Sequence, residues 1–160
     1  MTSGTAERTT VKPTWTTEQI QASSTRVMLN QYLAMSKVFE KFGPEAATEF
    51  QTALSHLKAE HFRSVGVKTP ADLVRAMAEF ETNVFGSIIT WWGDETKASM
   101  TYESCACWNA MQKSGCVTPE TEQKMGEGFA ASVHMLATEF GFKGELEMGE
   151  KSATIHFARK

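Results

Sequence analysis

Basic excess is what this chain most clearly lacks: 16 Lys and Arg face 19 Asp and Glu, for a net charge of −3. Nucleic-acid binding draws its affinity from counterions released by a cationic surface, so no nucleic-acid partner is expected. Long apolar runs are missing too, and nothing approaches the roughly 20 residues of a membrane span. The opening stretch MTSGTAERTTVKP has no apolar core of a secretion signal. The expectation is therefore a cytoplasmic protein with no membrane partner. Cysteine is sparse, odd in number and clustered, at Cys105, Cys107 and Cys116. A disulfide framework needs pairs, so free thiols or a metal site are favoured. Internal repeats and low-complexity linkers are also lacking. Residues 1–15 are polar and expected to be flexible, leaving residues 16–160 as one domain large enough to bury a core.

Helical periodicity fills the first half. Thr16 with Gln19 forms a capping box ahead of a helix to Phe42, whose stripe is Met28, Tyr32, Met35, Phe39 and Phe42. Gly43 and Pro44 separate it from a second helix over Pro44–Arg63, with Ala47, Phe50, Leu54 and Leu57 as its stripe. Thr69, Pro70 and Asp72 start a third, whose stripe runs Leu73, Met77, Phe80, Val84. At Gly86 the period changes. Ser87–Trp92 is β-branched and aromatic, Gly93–Thr96 is a turn, and Lys97–Cys105 alternates, which predicts an antiparallel hairpin. A short helix over Ala106–Lys113 precedes a long one from Thr118 and Pro119 to Phe140. Gly126 and Gly128 interrupt that long helix, either for close backbone approach or as a locally weak turn. A second hairpin turns at Gly149–Glu150 and returns through Thr154–Phe157. The order predicts an α+β fold: N-terminal helices, then an antiparallel sheet of two hairpins separated by a long helix.

Candidate chemistry centres on Ser87–Cys116. Strict alternation places Glu103 and Cys105 on one face of their strand. If the two hairpins share a sheet, Cys105 is a candidate nucleophile, His156 (or His134) its base and Glu103 the orienting group. Trp91, Trp92 and Trp108 surround the cysteines; Trp91, Trp108, Tyr102, Cys116 and His134 are candidate pocket residues. The alternatives are ordinary packing, with Cys105 a small buried hydrophobe, or a zinc site of Cys105, Cys107, Cys116 and His134. Cys-x-Cys is less usual at zinc than Cys-x-x-Cys, so the spacing is not a zinc-finger pattern. His56, at helical spacing from Glu49 and Glu60, reads as a solvated charged face.

Several segments carry a resemblance. Gly-Pro-Glu-Ala-Ala at 43–47, the strand ending in Cys105, Lys-Ser-Gly-Cys at 113–116 and Gly-Glu-Leu-Glu-Met-Gly-Glu-Lys-Ser-Ala-Thr-Ile-His-Phe at 144–157 resemble the L-2-amino-thiazoline-4-carboxylate hydrolase-like family. More distantly they resemble the 4-vinyl-reductase-type small-molecule-binding domains. The resemblance covers roughly residues 38–160. It implies thiol chemistry at a carbon–nitrogen or carbon–sulfur bond, with Cys105 and Cys116 at the family's cysteine positions. The closing hairpin departs from the pattern, with Glu150 for an Asp and Ala153 where a Cys is common.

Three readings follow. The first is a hydrolase of a small polar molecule with a cysteine nucleophile and no cofactor. The second is a non-catalytic ligand- or metal-binding module with the same pocket. The third is a partner-binding protein whose Met-rich helix faces meet another chain, including a homo-oligomer.

Overall fold

The computed structural model describes residues 12–149 and 152–160. The expected flexibility of residues 1–11 and the turn residue Glu150 lie outside them. Helices α1 (Thr17–Phe42), α2 (Pro44–Ser64) and α3 (Pro70–Phe80) come first, and α3 runs into a π-helical turn over Glu81–Phe85. Strands β1 (Ile88–Gly93) and β2 (Lys97–Ser104) follow, then α4 (Ala106–Lys113), α5 (Pro119–Glu139), β3 (Phe142–Met148) and β4 (Ala153–Arg159). The fold is α+β. Thr16, Thr69 and Thr118 each cap a helix through a complete capping box, so local chemistry sets all three starts.

The two hairpins join into one antiparallel sheet of order β1-β2-β4-β3 through the β2–β4 pairing. Ala98, Met100, Tyr102, Ile155 and Phe157 point from the two central strands to one face and are buried. Each large apolar side chain taken from water there stabilises the fold by about 1.5–3 kcal/mol. Leu73 and Val74 of α3, Ala59 and Phe62 of α2, and Val133, Leu136 and Ala137 of α5 complete the core. The opposite face is polar: Thr101 bonds Thr154 across β2 and β4 at 2.8 Å, and Ser99 bonds His156 at 2.8 Å. Among the described residues, no helix is long and apolar enough to cross a membrane.

Helix α1 is stitched to the π turn rather than buried in the core. Gln21 donates to the Thr82 and Asn83 carbonyls at 3.1 and 3.4 Å, and Thr25 to the Phe85 carbonyl at 3.4 Å. The Asn83 side chain takes the Glu79 carbonyl at 2.7 Å, a competition for backbone acceptors that accompanies the departure from α-helical bonding. The third helix therefore stops at Phe80, before the Val84 end of its predicted stripe.

The glycines of close approach are not those in α5. A Cβ at Gly126 or Gly128 would meet nothing within 4 Å, which leaves the locally weak helix as their reading. Gly144 on β3 is a tight position against α5, where a Cβ would lie 2.6 Å from Ala137 Cβ and 2.9 Å from the Val133 carbonyl. Gly144→Ala should therefore lower unfolding stability by about 1–3 kcal/mol through overpacking. Gly126→Ala and Gly128→Ala should each raise it by up to about 1 kcal/mol. Urea denaturation of the three variants checks both signs.

Candidate functional site

One offset in strand pairing decides where the cysteine chemistry sits. Ile88 lies opposite Ser104 but Ile89 lies opposite Tyr102, so Glu103 is an extra, bulged residue on β2. A bulge resets the period-2 alternation beyond it. Glu103 stays on the polar face, where Thr90 donates to it at 2.8 Å. Cys105 packs against the buried core on the helix-covered side. The strict alternation that put both on one face is corrected by this bulge.

The expected triad is not assembled. His156 pairs with Ser99, six residues before Cys105 and roughly 20 Å along the strand. Its ring contacts Ser99 and Glu147 on the polar face, the latter at 3.4 Å. His134 is exposed on α5 and forms no metal-holding group with the cysteines. Cys116 lies beyond the far end of α4, against Ser114 and the Met111 carbonyl. The four proposed zinc ligands are thus not gathered. Among the described residues no group of three or more His, Cys, Asp or Glu is arranged to hold a metal. Trp91 and Trp92 lie exposed on edge strand β1, away from Cys105, so they do not wall the cysteines. Tyr102 and Cys105 both face the helix-covered core, and the main-chain N–H of Trp108 donates to Cys105 Sγ at 3.5 Å. His56 bridges helices, meeting Glu60 at 3.6 Å and Glu139 of α5 at 3.3 Å.

What the fold gathers instead is a polar cluster beneath α4. The Ala106 N–H donates to Ser87 Oγ at 3.2 Å, and Ser87 Oγ donates to Glu81 Oε2 at 3.3 Å. Burial pushes the Glu81 carboxyl above its ordinary value, against the lowering contacts of Ser87, Lys58 and Tyr102. Tyr102 is raised well above the usual phenol range by burial, then by Glu81, Cys105 and Cys107. Cys105 is raised by burial and Glu81 although the Trp108 N–H at its helix N-cap opposes this. Cys107 is pushed up to about 12 by burial, Glu81 and Cys105. Both thiols are thus held protonated at neutral pH, the opposite of an activated nucleophile.

Lys58 completes the cluster. Its side chain keeps exposed surface, yet its ammonium is pushed below the ordinary lysine value by desolvation, with Glu81 opposing. Around it, α1 packs on α2 and α4, and α5 packs on α2 and β3, while α5 makes at most peripheral contact with α1 and α4. Phe50 and Leu54 of α2 are half-buried, as is Phe129 of α5, which lies edge-on to Tyr102 at 6.1 Å. Among the ion pairs of the described residues, none joins Lys58 to Glu81. Sequence reasoning missed Lys58, Glu81 and Ser87, which sit on α2, in the π turn and in the loop before β1. The one available signal was a Lys and a Glu on otherwise amphipathic helices.

Comparison with family models and with curated proteins finds no match for this chain.

Two measurements follow from the cluster. Alkylation of Cys107 should stay slow through neutral pH and accelerate only near its raised value, and Glu81→Gln should shift that acceleration to lower pH. Because the folded carboxyl of Glu81 holds its proton more tightly than the unfolded one, its contribution is full in acid. It is lost as pH rises through the raised folded value. The melting temperature of Glu81→Gln relative to the parent should therefore increase from acid to neutral pH.

Proposed function

We propose that this chain is a small-molecule-binding module whose ligand is a zwitterion of amino-acid size. The feature that carries this reading is the half-buried Glu81 carboxyl, held by the Ser87 hydroxyl at 3.3 Å, with the Lys58 ammonium in electrostatic reach but not paired with it among the described residues. A ligand bearing both complementary charges would satisfy the carboxylate and the ammonium together. Its carboxylate would meet Lys58 and its ammonium Glu81. Phe129, Phe50 and Leu54 would cover its apolar part. The resemblance to a family named for an amino-thiazoline carboxylate is consistent with this ligand class. The setting is a cytoplasmic one, where the three thiols stay reduced.

Thiol-assisted hydrolysis of a C–N or C–S bond stands second. It is favoured by one observation, the main-chain N–H of Trp108 aimed at Cys105 Sγ. Glu81, not His156, would then have to serve as its base.

Calorimetric titration of the full chain with a panel of free amino acids separates the outcomes. Binding by at least one is expected. It should weaken by roughly tenfold or more in Lys58→Met and in Glu81→Gln, and likewise for the same ligand lacking either charged group. No binding across the panel, or binding unchanged in both variants, would reject the zwitterion. Turnover of a bound cyclic C–N or C–S compound that is abolished in Cys105→Ser would promote the hydrolase.

A further inference from the structure

The two edges of the sheet are built differently. On the β3 edge, Lys143, Glu145 and Glu147 are exposed and charged. A second β3 paired there about its centre would set Glu145 against its own copy, and inward or like charges are how proteins keep strand edges from pairing. On the β1 edge, Ile88–Gly93 carries no charge, and every residue except Ile89 is exposed. Ile88 is 62%, Trp91 42% and Trp92 51% exposed. An uncharged, β-branched and aromatic edge of this kind is a template for another strand.

The sequence of that edge complements itself. Around Thr90 it reads two isoleucines on one side and two tryptophans on the other. A two-fold axis normal to the sheet keeps the two faces in common, so antiparallel self-pairing must match residues of the same face. Centred on Thr90, it sets Ile88 opposite Trp92 of the second copy on the polar face and Ile89 opposite Trp91 on the helix face. Both are aromatic–β-branched pairs, which are favourable across strands. The nearest charges, Asp94 and Glu95, fall outside the paired stretch, so nothing of like sign is opposed.

From this self-complementarity we infer that β1 is a dimerisation edge: two copies of the chain pair β1 to β1 antiparallel about Thr90, giving one continuous eight-stranded sheet. This inference is independent of the ligand site, which lies toward the helices over β2. The pairing is isologous and closes, leaving the charged β3 strands as the outer edges of the assembly.

Sedimentation equilibrium of the full chain tests it. The parent should sediment at twice the 17.7 kDa chain mass. Ile88→Lys and Trp92→Glu alone should each raise the dimer dissociation constant by roughly tenfold or more, because a charge is set against an apolar side chain at two symmetric contacts. The double variant should recover association, since Lys at 88 then faces Glu at 92 of the second copy. Glu145→Lys, on the other edge, should leave the parent dimer intact. Both substituted β1 positions are exposed, and circular dichroism reports whether the fold is kept. Amide exchange on the unaltered chain gives a second readout, with β1 amides slowing as protein concentration rises. A parent monomeric throughout, a dimer indifferent to both single changes, or β1 amides protected equally at every dilution would overturn the inference. The last outcome would mean that another part of the same chain covers the edge.

Discussion

Glu103 has no residue opposite it in the β1–β2 ladder, and the polar cluster depends on that one extra residue. Without the bulge, the strand would deliver Cys105 to the solvated face beside Glu103. With it, the thiol turns under the helices, caps α4, and shares its surroundings with Tyr102 and Glu81. A single extra residue in a ladder thus determines which chemistry the first hairpin contributes to the helix-covered side. His156 is placed independently, by the β2–β4 register, beside Ser99 and Glu147, where it belongs to a solvated cross-strand row.

Glu81 is held where it is by the π turn and by what that turn joins. Its carboxylate takes the Ser87 hydroxyl, Ser87 takes the first N–H of α4, and α1 is bonded to the carbonyls of the same turn. Single π turns recur at functional sites because they re-aim a side chain without ending the helix. Here α1 and α4, distant from each other in sequence, are tied to one short segment by polar contacts. Burying a carboxylate in this way costs stability unless its charge is shared, and the surrounding hydroxyls offset only part of that cost. Burial of each group raises the carboxyl, the phenol and both thiols, and the nearby Glu81 charge pushes the phenol and the thiols further up.

The helical layer is unevenly closed. Arg63 of α2 contacts the Glu139 carbonyl and carboxylate and lies 5.0 Å from the Phe140 ring, while His56 meets the same carboxylate. This clamp closes α2 against α5 at one end. Tight packing of α5 on Gly144 anchors it to the sheet. Among the described residues, no comparable clamp joins α5 to α1 or α4.

Local chemistry made much of this protein legible without coordinates. Threonine caps with their third-position partners marked three helix starts, Gly43–Pro44 marked the first break, and alternation from Lys97 marked the hairpin strand, because each signal acts within a few residues. The α+β order and the exclusion of a basic surface were equally readable. Only the tertiary structure decided the site. The bulge at Glu103 arises from pairing with β1, the cluster joins residues 58, 81, 87, 102, 105 and 107 across α2, the π turn, β2 and α4, and His156 was placed by strand register. These are long-range outcomes of packing and hydrogen-bond competition, and periodicity, which counts neighbours along the chain, carries no information about them.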